Sequence, residues 1–319
     1  MDDHVFGPVP SRRLGRSLGV NNVPAKTCTY SCVYCQLGAA PQHIERRTFY
    51  RPEDIATVVK NTLASRHADD IDYITLVPDG EPTLDLQLDK TIRLLKLLGK
   101  PVAVITNGSL LWQKNVRMAL MQADWVSIKI DAGSTAVWRR VNHPHPGLDY
   151  PRIQKGWQRF ADSYEGTLTT ETMLVNGVND GAGELEAIAG HVAMLKPATV
   201  YLAVPTRPPA MSWVRPPGEK ARAMAYTAFK QHGVAAKELT GYSPERFAAG
   251  DDPTAHVMAI LAVHPMRKKE LEQLLMDSNA GWNAVQELMD SGDIRAVDYQ
   301  GQRFYVRALP GTRRGDSDG

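Results

Sequence analysis

Six short apolar segments, separated by longer amphipathic stretches, constrain the fold of this 319-residue chain more than any other feature. Each segment has the length and composition of a strand, and each intervening stretch has helical periodicity. This alternation is typical of βαβ units, whose strands lie parallel in one sheet. We therefore expect an α/β fold, a TIM-like partial (β/α)6 barrel with strands at residues 17–22, 73–77, 102–106, 125–130, 167–175 and 199–204.

The pattern changes near residue 251, where three short helical segments are followed by two strands. The helices are predicted at 254–263, 267–276 and 280–291, and the strands at 294–298 and 303–309. This order predicts a small C-terminal winged-helix-like domain, and a chain of this length exceeds the usual size of one core. The predicted divisions are a barrel at 1–245, the second domain at 251–310 and a disordered tail at 311–319, with an active-site loop at 208–217 and a linker at 241–253.

Composition excludes few functions. The formal net charge of +2 argues against a general polyanion binder but allows a local basic patch. No apolar run approaches the roughly 20 residues that span a bilayer, and the first ten residues lack the profile of a signal peptide. We therefore expect a cytoplasmic protein with no membrane partner, and the sequence does not predict its oligomeric state.

All three cysteines lie in one C-x3-C-x2-C segment, Cys28, Cys32 and Cys35, just after the first predicted strand. Their number and spacing do not suit a framework of structural disulfides. Three thiolates can hold three irons of a cubane cluster, and the fourth iron is then open for chemistry. A structural zinc would need a fourth ligand, for which His43 is the nearby candidate, and a redox pair would need only two cysteines.

With Tyr34 before the last cysteine, this segment resembles the signature of the radical S-adenosylmethionine (SAM) superfamily. The resemblance implies that Cys28, Cys32 and Cys35 are the catalytic metal ligands of a [4Fe–4S] cluster. It also implies SAM as a cofactor, cleaved reductively to a 5′-deoxyadenosyl radical that abstracts hydrogen from a substrate. An electron donor such as flavodoxin or ferredoxin would be a partner.

Further cofactor-binding residues follow from the same resemblance. Gly80 and Glu81 resemble the Gly-Gly-Glu element that receives the amino group of SAM, although an acidic turn before a helix is an equal reading of that string alone. Thr106 and Asn107 resemble the strand ending Thr-Asn-Gly, although Asn-Gly is also a common turn. Tyr34 is expected near the adenine.

The fourth predicted strand has faces of opposite polarity, because Ser127, Lys129 and Asp131 alternate with apolar residues. This segment resembles glycyl-radical activases, in which equivalent residues bind the carboxylate and ribose of SAM. Glu171 on the next strand is expected to point toward cofactor or substrate. The alternative for Lys129 and Asp131 is a buried ion pair.

Substrate contacts are predicted at Arg12, Arg13, His143 and Arg207. The arginines could bind carboxylate or phosphate, or could form salt bridges or lie in exposed loops. His143 could donate a proton, but the neighbouring prolines favour a rigid turn. The strings at 8–19 and 141–146 resemble Fe–S oxidoreductases related to the wyosine-forming tRNA enzymes, over residues 5–240.

Four functions remain open from the sequence. The first is a radical enzyme that modifies tRNA or a polypeptide recruited by the C-terminal domain. Against tRNA, residues 251–319 carry eight Lys or Arg against eleven Asp or Glu, and the segment 280–291 has no basic residue. The others are a glycyl-radical activase, a small-molecule radical enzyme and, with least support, a non-catalytic Fe–S redox regulator.

Overall fold

The main element of the protein is an eight-stranded sheet whose strands follow chain order. The computed structural model describes residues 4–65, 71–239, 253–261 and 265–308. β1 (Val5–Ser11) and β2 (Gly15–Val20) form an antiparallel hairpin, and β2 starts a parallel series that continues to the far edge. The other strands of this series are β3 (Tyr73–Leu76), β4 (Val102–Thr106), β5 (Trp125–Lys129), β6 (Thr167–Met173), β7 (Thr199–Ala203) and β8 (Ala236–Glu238).

Helices connect successive parallel strands and bury the outer face of the sheet. Val126, Ile128 and Phe160 are fully buried in the largest hydrophobic cluster of the described residues. The apolar face predicted for β5 is therefore the face that packs against helices. The helices of this region are α1 (Pro52–Ser65), α2 (Leu88–Lys96), α3 (Lys114–Leu120), α4 (Thr135–Asn142), α5 (Tyr150–Ala161), α6 (Ala182–Met194) and α7 (Glu219–Gln231).

The inner face of the sheet carries a second, smaller apolar cluster. Leu14 of the hairpin packs with Ala103, Trp125 and Tyr201. At the edge of the hairpin, Arg12 donates a hydrogen bond to the carbonyl of Leu239, directly after β8. A side chain thus connects the two edges of the curved sheet.

The mixed α/β architecture confirms the predicted fold class, and all six predicted strands are present. Two further strands, β1 and β8, lie at the edges of the sheet. β1 contains Pro8 and Pro10, which are typical of edge strands because proline cannot donate a ladder hydrogen bond. β8 has only three residues, too few for a readable alternation.

The C-terminal unit, residues 253–308 as far as described, contains three helices and a three-stranded antiparallel sheet with the order β10-β11-β9. All three predicted helices and both predicted strands occur, and the short strand β9 is additional. The predicted domain boundary, linker and tail fall on residues 240–252 and 309–319, outside the described residues, so the domain division stays a prediction. The elements are α8 (Pro253–Leu261), β9 (Met266–Arg267), α9 (Lys268–Asp277), α10 (Asn283–Asp290), β10 (Ile294–Tyr299) and β11 (Gln302–Arg307).

Strand β1 joins the barrel to the C-terminal unit. Phe6 and Val9 belong to the same buried cluster as Val257, Ile260 and Leu271 of α8 and α9. The hairpin therefore packs on the barrel sheet and on the C-terminal unit at once. Among the helices that the structure describes, none has the length and apolar character needed to cross a membrane.

Candidate functional site

The three cysteines lie on one loop after β2, and none is in a disulfide. The backbone turns tightly between them, since the amide of Cys35 donates to the carbonyl of Cys32 at 3.0 Å and that of Gly38 donates to the carbonyl of Cys35 at 3.3 Å. All three side chains are half-buried. We call residues 26–38 the cluster loop.

Backbone hydrogen bonds fix the cluster loop to the neighbouring segments of the barrel. The turn after β3 contacts it twice, because Lys26 donates to the carbonyl of Asp79 at 2.6 Å and Glu81 donates to that of Thr27 at 2.8 Å. Val33 is in the middle of the loop, where it donates to the carbonyl of Val141 and accepts from Met211, both at 3.0 Å. The loop is thus held by α4 and by the segment after β7 as well.

Two asparagine amides point at cysteine sulfurs. The Nδ2 of Asn107 lies 3.6 Å from the Sγ of Cys28, and the Nδ2 of Asn142 lies 3.4 Å from the Sγ of Cys32. Burial raises the pKa of Cys32 to about 12, so a thiolate at this position needs a cation nearby. Bound iron would supply that charge, and hydrogen bonds to sulfur are a normal feature of Fe–S sites.

The donor set fits three corners of a [4Fe–4S] cluster, because three free sulfurs share one loop and two of them already accept amide hydrogen bonds. In the described part of the chain, no group of three His, Cys, Asp or Glu side chains surrounds a point as a single metal ion requires.

Glu81 is buried and connects the ends of two strands. Its Oε1 accepts from the amide and hydroxyl of Thr83 and from the hydroxyl of Thr106, and its Oε2 accepts from the amide of Asn107 at 2.8 Å. Burial raises the pKa of Glu81, and these hydrogen bonds oppose the rise. The structure thus brings Gly80, Glu81, Thr106 and Asn107 together beside the cluster loop.

Asp131 lies next to Cys32 in a buried network. Its Oδ2 accepts from the hydroxyl of Tyr34 and from the Nδ2 of Asn142 at 2.8 Å, and its Oδ1 accepts from the amide of Met173 at 2.8 Å. The predicted alternative of a Lys129–Asp131 ion pair does not occur, because Lys129 binds another carboxylate.

That carboxylate is Glu171, whose Oε1 accepts from the Nζ of Lys129 at 2.9 Å while its Oε2 accepts from Arg13. The Nζ of Lys129 also lies 4.7 Å from the centre of the Tyr34 ring. Ser127 precedes Lys129 on the same face of β5, fully buried, and its hydroxyl has no hydrogen-bond partner among the described residues. Two cations therefore share one carboxylate at the carboxyl ends of β5 and β6.

A cavity of about 370 Å³ lies between the hairpin, the sheet and the C-terminal unit. It brings together three of the four predicted substrate residues, Arg12, Arg13 and Arg207, with Glu171. His143 is not in its lining; this residue ends α4 in a left-handed conformation, with φ of 40°, and its carbonyl accepts from Ser31 at 3.0 Å.

Sequence reasoning missed Asn142 and Glu270. Asn142 was inside a string that the resemblance singled out, but its residue type alone gave no role. Glu270 lies in the first turn of α9 and lines the cavity, far along the chain from the other site residues. No local signal in the sequence could have connected it to the barrel.

Comparisons with known proteins identify the family of this chain. A family model described as the radical SAM superfamily matches residues 22–188. A UPF0026 protein of Methanocaldococcus jannaschii is 37% identical over 307 residues, which are 95% of this chain and 96% of that protein.

Among solved structures, Streptococcus suis SuiB bound to S-adenosylmethionine aligns with a TM-score of 0.51 and 12% identity, over 69% of this chain and 49% of SuiB. SuiB bound to its precursor peptide SuiA aligns with a TM-score of 0.53 and 11% identity, over 69% of this chain and 48% of SuiB. This chain spans about half the length of SuiB, and the likeness concerns the fold. Because the family model covers more than half of the chain and a relative matches almost all of it, the chain belongs to the radical SAM superfamily, whose members use a [4Fe–4S] cluster and SAM, and within it to the UPF0026 proteins.

Proposed function

We propose that this protein is a radical SAM enzyme that cleaves SAM reductively and uses the resulting 5′-deoxyadenosyl radical to take hydrogen from a substrate. The observation that carries this proposal is the cluster loop, with three free cysteines and two amide donors aimed at their sulfurs. Such a donor set leaves one iron of a cubane without a protein ligand. When bound, cluster and SAM supply the one-electron chemistry.

The side chains of the protein hold and orient these groups. Cys28, Cys32 and Cys35 bind iron, and Asn107 and Asn142 donate hydrogen bonds to two of the sulfurs. Lys129 provides a cation for the carboxylate of SAM, since its side chain is partly exposed and its Nζ is positioned by Glu171. Asp131 orients the hydroxyl of Tyr34 beside the cluster loop.

The substrate is more consistent with a small molecule than with a docked tRNA or polypeptide. The cavity is lined in part by Met266 and Glu270 of the C-terminal unit, so this unit contributes to the site. Helix α10, which would be the recognition helix of a winged-helix domain, has no basic residue. The activase alternative depends on sequence strings alone, and a purely regulatory Fe–S protein would leave the polar residues of β5 and β6 without a role.

The test is formation of 5′-deoxyadenosine. The full chain, reconstituted anaerobically with iron and sulfide and then reduced with dithionite, should convert SAM to 5′-deoxyadenosine and methionine. Cys32→Ala should lose this conversion together with the visible absorption of the cluster, whereas Thr57→Ala, an exposed change on α1, should retain both. Absence of 5′-deoxyadenosine from the wild type with an intact cluster would overturn the proposal.

A further inference from the structure

The thiol of Cys32 and a buried carboxylate share one neighbouring nitrogen atom. The Nδ2 of Asn142 lies 3.4 Å from the Sγ of Cys32 and 2.8 Å from the Oδ2 of Asp131. Asn142 and Asp131 are both buried. Water and salt screen buried groups far less than exposed ones, so both side chains can act strongly on a metal bound at Cys32.

Asp131 has the hydrogen-bond pattern of an ionised carboxyl group. Its Oδ2 accepts from Asn142 and from the hydroxyl of Tyr34, and its Oδ1 accepts from the amide of Met173 at 2.8 Å. A protonated carboxyl group would have to donate one bond, whereas both oxygens accept here. Burial, and after it the charge of Asp131, raises the pKa of Cys32. A negative charge is therefore fixed beside this sulfur.

Hydrogen bonds, and no ion pair, stabilise Asp131 within the part of the chain that the structure describes. Lys129, two residues earlier in the chain, binds Glu171 at 2.9 Å instead. Dipoles stabilise a charge without cancelling it, so the charge of Asp131 still acts on Cys32.

The amide beside Cys28 is placed differently. The Nδ2 of Asn107 lies 3.6 Å from the Sγ of Cys28 but only 2.8 Å from the hydroxyl oxygen of Thr29. Its shorter hydrogen bond therefore goes to a neutral group. Of these two sulfurs, that of Cys32 has the shorter amide contact.

Reduction of an Fe–S cluster adds one negative charge to the cluster and its thiolates. A hydrogen-bond donor at a ligating sulfur stabilises the added charge and raises the reduction potential. A negative charge close to the same sulfur repels the added electron and lowers the potential. Hydrogen bonds to sulfur and local charge are both known to set the potentials of Fe–S clusters.

We propose that Asn142 and Asp131 are positioning residues that adjust the reduction potential of the cluster in opposite directions through Cys32, with Asn142 raising it and Asp131 lowering it. This inference rests on the proposed function, and it concerns the uptake of one electron from an external reductant at the same site. Asn142 is the last residue of α4, so the helix holds its amide at a fixed place between the sulfur and the carboxylate.

The experiment measures the midpoint potential of the cluster in the full reconstituted chain without SAM. The protein is titrated with dithionite and followed by electron paramagnetic resonance. Asn142→Leu removes the donor at similar volume and should lower the potential. Loss of one hydrogen bond should change the reduction equilibrium by about threefold to tenfold, which is about 30 to 60 mV for a one-electron couple.

Asp131→Leu places the same side chain at the neighbouring position and should raise the potential, because it removes the negative charge. Packing defects common to both variants cannot produce shifts of opposite sign. Asn142→Ala removes the same donor without adding bulk, so it should shift the potential in the direction of Asn142→Leu.

Ser109→Ala is the matched control. Its hydroxyl is buried and lies 2.7 Å from the hydroxyl of Thr29 on the cluster loop, so the variant loses a hydrogen bond to this loop but none to a sulfur. The potential of this variant should equal that of the wild type. Iron and sulfide analysis measures the cluster content of every protein.

The proposal is overturned if both Asn142 variants keep or raise the potential, if Asp131→Leu does not raise it, or if Ser109→Ala shifts it as far as they do. Loss of the cluster from both Asn142 variants, or from Asp131→Leu, also overturns it, because the residue would then be needed to hold the cluster.

The two proposals fail separately. A wild type that forms 5′-deoxyadenosine, with variants that share its potential, contradicts only the control of the potential. Opposite shifts in the variants of a protein that forms no 5′-deoxyadenosine contradict only the radical chemistry.

Discussion

Asn142 connects three parts of the site through one side-chain amide. Its Nδ2 lies 2.8 Å from Asp131, 3.4 Å from the Sγ of Cys32 and 3.5 Å from the hydroxyl of Tyr34. The side chain is buried, so water cannot take its place easily. Asn142 therefore stabilises both the carboxylate of Asp131 and the position of the cluster loop.

Asn142→Ala should lower the free energy of unfolding by about 1–3 kcal/mol, because the buried Asp131 loses a donor. Urea unfolding of the variant and the wild type measures the difference. Asn61→Ala, an exposed change on α1, is the matched control and should be close to neutral. Equal effects of the two substitutions would contradict the role given to Asn142.

Asp85 makes the stability depend on pH. It is fully buried after the turn that contains Glu81, and burial raises its pKa from 3.8 to about 6. Folding therefore favours the protonated form. Protonated Asp85 stabilises the folded state fully below pH 3.8, and this contribution is lost as the pH rises through about 6.

Asp85→Asn should remove this dependence, since the amide stays neutral. From the acid to the neutral side of that window, the free energy of unfolding of the variant should rise by roughly 3 kcal/mol relative to that of the wild type. Urea unfolding of both proteins on each side of the window measures the gain, with the exposed Asp54→Asn as control. A constant difference between Asp85→Asn and wild type across the window would show that Asp85 is not responsible.

At the residue scale, the sequence predicted which residues contribute to the site better than it predicted which side chains contact each other. Alternation along β5 predicted that Ser127, Lys129 and Asp131 share a face, and in the structure Asp131 lies two residues beyond the end of this strand. It could not show that Lys129 binds Glu171 while Asp131 binds Tyr34, because side-chain pairing depends on the packing of neighbouring strands. The assignments of individual residues to SAM remain predictions.

At the scale of elements, the turn after β3 is packed directly on the cluster loop. Gly80 is the point of closest approach, and a Cβ at this position would overlap the carbonyl oxygen of Thr27. The backbone hydrogen bond from Glu81 to Thr27 fixes the two segments at this distance. A glycine is therefore required here for steric reasons.

Gly80→Ala should displace the segment before Cys28 and reduce the iron bound per chain after reconstitution. Changes in residues that support metal ligands typically reduce metal affinity by roughly tenfold or more. Iron and sulfide analysis measures the loss. Gly183→Ala in α6 is the control, because a Cβ there meets open space. Full iron content in Gly80→Ala would contradict the proposed contact.

The strands that the sequence predicted are those with a clear apolar pattern flanked by helices. The strands that it did not predict lack such a pattern, for physical reasons. β1 includes two prolines, β8 has three residues, and β9 has two residues paired only with β11. Short edge strands depend on their neighbours for stability, so local sequence carries little information about them.

At the scale of the whole molecule, one core cluster is shared between the barrel and the C-terminal unit. Phe6 and Val9 from β1 pack with Ile260 of α8, which is fully buried. These contacts join segments more than two hundred residues apart, and nothing local in either segment predicts them. The cavity with Arg207 and Glu270 depends on the same contact and was unpredictable for the same reason.

Ile260→Ala should lower the free energy of unfolding by about 2–5 kcal/mol, as expected for a large-to-small change in a core. The barrel should share this loss, because β1 is part of the same cluster. Urea unfolding followed by circular dichroism measures it, and Met276→Ala, whose side chain is 70% exposed, is the control. Unfolding of the C-terminal unit alone, with the barrel unaffected, would contradict shared packing.

The central claim is that Cys28, Cys32 and Cys35 bind a cubane cluster whose remaining iron is open to SAM. Electron paramagnetic resonance of the reduced, reconstituted protein, recorded with and without SAM, tests it most directly. We predict a [4Fe–4S] signal whose g values shift when SAM is added. A signal that SAM leaves unchanged, or a purified protein that holds zinc in place of iron, would contradict the account.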